Sequence, residues 1–177
     1  SIIDSLDFDP GNGTFYLKSK SPYYNVYVVK LTSAGNFQWG KMFNGNFNDS
    51  RSSSIKTDNN KDVFVALNFN SNVLDLDPGV GTTTVTAYSN TAILINRLNT
   101  NGDYVNHYYF TSNSNASNYI NSMTFDSAYN LLVTGEFALS YNDGTNWVDF
   151  DPGSGIVKGI NYFAKSCGFL VKLNSLS

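Results

Sequence analysis

Hydrophobic and polar residues follow one another along this chain in short runs that have the length of β-strands. The runs mix aromatic and β-branched residues with polar ones, and turn-forming residues separate them. The predicted strands cover residues 23–31, 37–43, 55–57, 63–69, 104–110, 123–125 and 131–137, with a polar strand at residues 82–87. No window long enough to trust has the 3.6-residue period of a helix, so the pattern predicts an all-β fold.

The pattern is repeated. An Asp-Phe/Leu-Asp-Pro-Gly motif, here called the Asp-Pro-Gly corner, begins at residues 7, 75 and 149, so the periods are 68 and 74 residues. A strand follows each corner, and all three copies place a cation before a leucine: Lys30, Arg97 and Lys172. The longer second period comes from six extra residues between Phe137 and Asp149, and an insertion of this kind indicates a surface loop.

The sequence pattern of each unit predicts four antiparallel strands, two before the corner and two after it. A β-propeller blade has the same four strands. A β-sandwich does not require its sequence to repeat so closely. We expect one domain at residues 1–177: half a blade (1–47), a blade (48–115) and a blade lacking its last strand (116–177). A closed propeller needs about four to eight blades. The chain is therefore expected to be part of a larger propeller, and assembly of several short chains into one ring is the competing explanation.

Composition and net charge argue against several classes of function. The net charge is −3 and the sequence pI is near 4.9, so the chain provides no basic surface for nucleic acid. No apolar run is long enough for a membrane span, and no retained signal peptide is expected, because the first residues lack a charged region followed by an apolar one. Cys167 and His107 are the only cysteine and histidine, and they fall in different predicted strands. Since a catalytic thiol needs a partner base, Cys167 is expected to be a small packing residue, and no enzyme activity is expected.

The paired aspartates of the corners are candidate calcium ligands, because calcium takes six to eight oxygen ligands. These residues are Asp7 and Asp9, Asp75 and Asp77, and Asp149 and Asp151. One corner supplies too few oxygens, so the favoured interpretation is that the carboxylates accept backbone N–H groups around the turn. In the first corner, Pro10 and Gly11 predict a type II turn with positive φ at the glycine. No cofactor is expected to be required, and Ca²⁺ is the one candidate.

The turn at residues 58–62 has the Asp-x-Asn-x-Asp spacing that opens a calcium loop. It lacks the glycine at the sixth position and the distal glutamate, and its copy at residues 126–130 lacks the middle ligand. Both stretches are therefore predicted to be hairpin turns.

The inserted loop at residues 140–147 is the candidate ligand contact. It carries Tyr141, Asp143 and Trp147, and aromatic rings beside polar groups suit sugar or protein surfaces. The alternative is a tolerated insertion in which Trp147 covers a sheet edge.

Several motifs together resemble the β-propeller repeats of secreted proteins from the Bacteroidetes group, related to SBBP repeats. They are Asp-Phe-Asp-Pro-Gly, a hydrophobic-Val-Lys-Leu strand, Ser-Ala-Gly-Asn-Phe-Gln-Trp, and Asp-x-x-x-Asn-hydrophobic-x-Val-x-Gly. The chain departs from them at Leu67, which aligns with Gly135, and at Val105 and Asn106, which align with Gln38 and Trp39. The resemblance implies a secreted or cell-surface location, often within a larger multidomain chain.

Two short motifs, Asp4-Ser5-Leu6 and Asp126-Ser127-Ala128, resemble the O-glycosylation signal of exported Bacteroidetes proteins. They make Ser5 and Ser127 candidate glycosylation sites.

The function expected from the sequence is a non-catalytic structural or interaction role, with other repeats of the same or a larger chain as partners. The alternative is a carbohydrate-binding, lectin-like propeller that oligomerisation completes. A polysaccharide lyase or hydrolase is the least favoured class, because the repeat does not maintain an acid–base set.

Overall fold

The computed structural model describes residues 5–18, 25–45, 51–69, 73–87, 91–113, 116–139, 145–161 and 165–174. All the regular elements in these segments are β-strands, which confirms the all-β prediction. None of the described segments forms a helix that could cross a membrane.

Fifteen strands follow one another in these segments. They are β1 (Ser5–Asp7), β2 (Tyr16–Lys18), β3 (Val26–Leu31), β4 (Phe37–Gly45), β5 (Arg51–Thr57), β6 (Val63–Phe69), β7 (Leu74–Asp75), β8 (Thr84–Val85), β9 (Ala92–Leu98), β10 (Tyr104–Phe110), β11 (Ala116–Phe125), β12 (Leu131–Leu139), β13 (Val148–Asp149), β14 (Lys158–Gly159) and β15 (Cys167–Leu173).

The long strands form three antiparallel sheets. The middle sheet has the order β10-β9-β6-β5, so it contains the four strands predicted for one unit. The first sheet consists of β3 and β4, extended by β7 and β8 at the end of β4, and the third sheet has the order β11-β12-β15. Two further pairs, β1-β2 and β13-β14, are separate hairpins.

The sequence repeat is also a structural repeat, down to its irregularities. A β-bulge interrupts β5 between Ser52 and Ser54, and another interrupts β11 between Ile120 and Ser122, which are 68 residues further along. Bulges bend a strand and re-aim its side chains, so their recurrence gives both first strands the same path.

The middle sheet is buried on both faces. All seven residues of β6 are buried. Val63 and Val65 belong to the apolar cluster shared with the first sheet, whereas Phe64 and Ala66 belong to the cluster shared with the third sheet. The equivalent strand of the third sheet, β12, instead alternates between buried and more exposed residues. Burial of apolar surface between the sheets is the main stabilising contribution to this stack.

Each corner closes a two-stranded hairpin, called here a corner hairpin. The corner hairpin of the middle unit, β7-β8, pairs with the end of β4 in the first sheet. That of the third unit, β13-β14, reaches the end of β10: Val148 pairs with Ser112, and the Asp149 N–H donates to the Thr111 carbonyl at 2.7 Å. A corner hairpin therefore fastens its own unit to the last strand of the preceding sheet.

Several strand predictions differ in their bounds from the structure. The first strands β5 and β11 begin at Arg51 and Ala116, several residues before the predicted starts at residues 55 and 123. Both are outermost strands of their sheets, but the start of β11 also pairs with Thr91, whose N–H donates to the Ala116 carbonyl and whose carbonyl accepts the Asn118 N–H. The polar strand predicted at residues 82–87 is limited to β8, since only the two residues of β7 pair with it.

Candidate functional site

The corner aspartates hold the turn through backbone hydrogen bonds. Asp75 Oδ1 accepts the N–H groups of Asp77 at 3.1 Å and Thr83 at 3.0 Å, and Asp77 Oδ1 accepts that of Gly79 at 2.8 Å. The same three bonds occur in the other two corners, at distances of 2.8–3.0 Å. This is the arrangement expected from the favoured interpretation, in which the carboxylates accept backbone N–H groups.

The corner motif extends beyond its first glycine. A second glycine follows two residues after the first, and a Cβ atom at Gly81 would lie 2.1 Å from Asp77 Oδ2. The equivalent distances at Gly13 and Gly155 are 2.3 and 2.1 Å. The aspartate side chain therefore occupies the space that a larger residue would need. The recurring Gly-x-Gly was visible in the sequence and could have revealed this contact.

The type II turn predicted at Gly11 is wrong. Among the described glycines, positive φ angles occur at Gly35 (83°) and Gly102 (81°), both in hairpin turns. At Gly11 the restriction is one of space, because a Cβ atom would lie 3.1 Å from Asp9 Oδ1.

The calcium assignment of the corners stays a prediction. In the part of the chain that the structure describes, no three side chains of His, Cys, Asp or Glu are grouped to hold a metal ion. Asp149 is only 6% exposed, and its Oδ1 already accepts two N–H groups.

In the middle and third sheets, the hairpin-turn aspartates contact the cation that precedes the leucine. Asp62 Oδ2 lies 2.9 Å from Nε of Arg97 and 2.9 Å from a terminal nitrogen of the same guanidinium. That terminal nitrogen also lies 3.9 Å from Asp58 Oδ2. In the third sheet, Lys172 Nζ lies 2.7 Å from Asp126 Oδ2. The aspartates of the turns that resembled a calcium loop thus bind side-chain cations. The repeated cation before leucine is visible in the sequence, whereas its aspartate partner is not.

Both turns hold a residue other than glycine at positive φ, Lys61 at 66° and Tyr129 at 59°. The N–H groups of these residues donate to the carbonyls of Asp58 and Asp126. The predicted hairpin turns at residues 58–62 and 126–130 are confirmed.

Trp147 lies at the sheet edge and not on a free loop tip. The backbone N–H of Trp147 donates to Asn113 Oδ1 at 2.8 Å, and its carbonyl accepts the backbone N–H of Asn113 at 3.3 Å. Lys158 Nζ lies 5.0 Å from the centroid of the Trp147 ring. One side of the indole is therefore already in contact with a cation. Tyr141 and Asp143 lie outside the described residues, so a joint ligand contact of the three stays a prediction.

The other candidate residues are scattered. Cys167 packs against the apolar cluster between the middle and third sheets, which confirms its expected role. His107 Nδ1 lies 2.8 Å from the Tyr104 hydroxyl, and partial burial lowers the pKa of the imidazole. Ser127 is exposed in its turn and Ser5 begins β1, and glycosylation of either residue stays a prediction.

Comparison with known proteins adds no assignment. No family model, no curated protein and no solved structure matches this chain.

Proposed function

We propose that this chain is a segment of a secreted β-propeller with a structural or interaction role and no catalytic one. The observation that carries the proposal is the burial of the middle sheet on both faces between its own repeat equivalents. Stacking of equivalent four-stranded sheets is how propeller blades bury their apolar faces. The corner hairpins of the middle and third units support the same arrangement, since each of these two links its unit to the sheet before it.

The outer faces of the stack expose side chains whose equivalents are buried in the middle sheet. In the first sheet Tyr27 is 51% exposed, whereas its equivalent Leu94 is fully buried. In the third sheet Leu170 is 72% exposed, whereas its equivalent Ile95 is fully buried. Further blades on both sides would cover these residues, as a ring requires.

The outer face of the third sheet is also more polar than its equivalent in the middle sheet. Thr134 stands where the middle sheet has Ala66, and Glu136 stands where it has Asn68. A glutamate still accepts a backbone N–H group across the boundary, as Asn68 does. The next blade of the proposed propeller would therefore meet a face that relies more on polar contacts.

The proposed location is the secreted fraction or the cell surface, and its support is the resemblance to Bacteroidetes repeats, with which the low charged fraction of 14% agrees. The proposed mechanism is presentation of loops on a rigid stack of sheets to protein partners. Sugar binding stays a prediction, because no contact of Trp147 favours it over a structural role.

The decisive experiment is a series in which one to five extra copies of residues 48–115 are inserted after residue 115. A propeller predicts an abrupt rise in the urea midpoint at the copy number that closes the ring, together with a disc seen by negative-stain microscopy. An open solenoid predicts a gradual rise and a particle that lengthens with each copy. The second outcome would overturn the proposal.

The matched control is the same series with Asp75→Ala in each inserted copy, which weakens the corner but keeps the strands. The native mass by light scattering, measured with and without a calcium chelator, separates one closed chain from a ring of several chains.

A further inference from the structure

A cleft of about 810 Å³ opens beside β15. Its walls are residues 170–174 at the end of β15, residues 150–153 of the last corner hairpin, and residues 106–108 of β10. Among the described residues, β15 pairs with β12 alone, so its other edge is an unpaired row of backbone N–H and C=O groups. This cleft is called the edge cleft.

The other two sheets hold a strand at the position of the edge cleft. β15 is the repeat equivalent of β9 and β3. β10 pairs with β9 from Tyr104 opposite Leu98 to Phe110 opposite Ile93, and β4 pairs with β3 in the same manner. The β-bulge also recurs, because Val105 in β10 and Gln38 in β4 have no paired residue in the neighbouring strand. The edge cleft is therefore the place of a fourth strand in the third sheet.

Contacts in the middle unit indicate which residues of the third unit would touch such a strand. The hydroxyl of Tyr109 in β10 donates to the Thr86 carbonyl at 3.0 Å, and the ring of Tyr109 lies 6.2 Å from that of Phe69. In the third unit the equivalents of Thr86 and Phe69 are Ile160 and Phe137. A strand in the edge cleft would meet these two residues with its tyrosine.

Asn106 supplies a second observation at the same place. Its equivalent, Trp39, donates its indole N–H to the carbonyl of Thr100 at 3.1 Å, in the turn that precedes the fourth strand of the next sheet. Asn106 Oδ1 is buried and has no hydrogen-bond partner among the described residues. The turn before a fourth strand beside β15 would lie next to this oxygen.

We propose that the edge cleft binds an extended, aromatic-rich strand antiparallel to β15, led by an Asn-x-x-Gly turn as β10 is. This is strand addition to an open sheet edge, in which backbone hydrogen bonds give affinity and side-chain contacts give specificity. The occupant is a polypeptide segment with the pattern of β10, whose tyrosines contact the last corner hairpin. The inference rests on the proposed function, since it takes the four-stranded sheet as the repeating unit.

The probe is an unlabelled synthetic peptide with the sequence of residues 99–111, added to the isotope-labelled 177-residue chain. Saturable binding should slow amide exchange at alternate residues of β15 by about tenfold or more. His107 lines the cleft and is the only histidine, so its single imidazole signal should shift. A scrambled peptide should do neither, and a peptide with phenylalanine in place of Tyr109 should bind several-fold more weakly.

A second measurement joins the same sequence to the chain after Leu173, in place of residues 174–177. The urea midpoint should rise relative to a scrambled extension, because the appended strand reaches the cleft without a binding equilibrium.

Three outcomes would overturn the inference: no binding together with no stabilisation, binding that leaves β15 unprotected, or dimers of the chain that exclude the peptide, which would make a second copy the occupant. Ring closure in the copy-number series does not depend on any of these results, so failure here and failure of the proposed function are distinguishable.

Discussion

The side-chain amide of Asn68 makes two hydrogen bonds to the backbone of one residue in another sheet, Ile120. Its Nδ2 donates to the Ile120 carbonyl at 3.1 Å, and its Oδ1 accepts the Ile120 N–H at 2.9 Å. Ile120 pairs with Gly135 of β12 immediately before the bulge of β11. The Asn68 side chain thus bonds to the backbone of an outermost strand across the boundary between the middle and third sheets.

Asn68→Ala should destabilise the chain by roughly 2–4 kcal/mol, because it leaves a buried N–H and a buried carbonyl without partners. Asn68→Asp should cost a similar amount, since a carboxylate cannot donate to the carbonyl. Urea unfolding followed by tryptophan fluorescence measures both. The control is Asn101→Ala in an exposed turn, which should change stability by less than about 0.5 kcal/mol. An effect of Asn68→Ala equal to that of the control would contradict the bridge.

Asp75→Ala should destabilise the chain by roughly 1–3 kcal/mol, because two backbone N–H groups lose their acceptor. Asp75→Asn should be milder, since the amide oxygen still accepts both bonds. The measurement is the urea midpoint with added calcium and with a chelator. A hydrogen-bonded corner predicts the same midpoint in both solutions. A chelator-sensitive midpoint that Asp75→Asn abolishes would instead establish a calcium site.

Gly81→Ala should destabilise the chain by roughly 1–3 kcal/mol, because the added Cβ would lie 2.1 Å from Asp77 Oδ2 and must displace that carboxylate. Gly168→Ala is the matched control, since the nearest atom to its Cβ is 3.9 Å away. Thermal unfolding by circular dichroism compares the two variants. Equal melting temperatures would show that the corner tolerates a side chain at this position.

Lys172 is the main reason why the pKa of Asp126 lies below its usual range, and hydrogen bonds from Asn130 and Ala128 lower the pKa further. A depressed carboxyl pKa in the folded state means that the unfolded chain binds the proton more readily. The stability that this pair contributes is therefore present above the usual carboxyl pKa of about 4 and is lost as the pH falls below it.

Lys172→Met should raise the pKa of Asp126 toward its usual range and flatten the dependence of stability on pH in the acid range. Carbon-13 NMR of the carboxyl groups measures the pKa, and urea midpoints across the acid range measure the stability. Lys56→Met, which removes an exposed cation from β5, should leave the Asp126 titration unchanged. An Asp126 pKa that is the same in the Lys172→Met variant and the unaltered chain would assign the shift to the turn alone.

Local patterns in the sequence determined the strand content, the repeat and the chemistry of the corners. Short runs rich in β-branched and aromatic residues are typical of strands, so residues 63–69 and 104–110 predicted β6 and β10 with correct bounds. The corner carboxylates bond to N–H groups two and eight residues away, which is short enough for the motif to specify them.

Contacts between distant residues could not be predicted in the same way. Asn68 and Ile120 are 52 residues apart, and no spacing rule links an asparagine at the end of one strand to a bulge in another sheet. The starts of β5 and β11 were not predicted because their polar residues have no strand pattern. At Ser117 the partner of β11 is Thr91, which lies just before β9 of another sheet.

The sequence by itself determined that this chain is all-β, that it is built from repeated units, and that each unit turns at an Asp-Pro-Gly corner. Tertiary structure alone decided that the middle sheet is buried on both faces, that the corner hairpins of the middle and third units fasten to the preceding sheet, and that a cleft lies open beside β15. The reason is physical: turn chemistry and strand alternation act over a few residues, whereas burial and strand pairing depend on which surfaces the folded chain brings together.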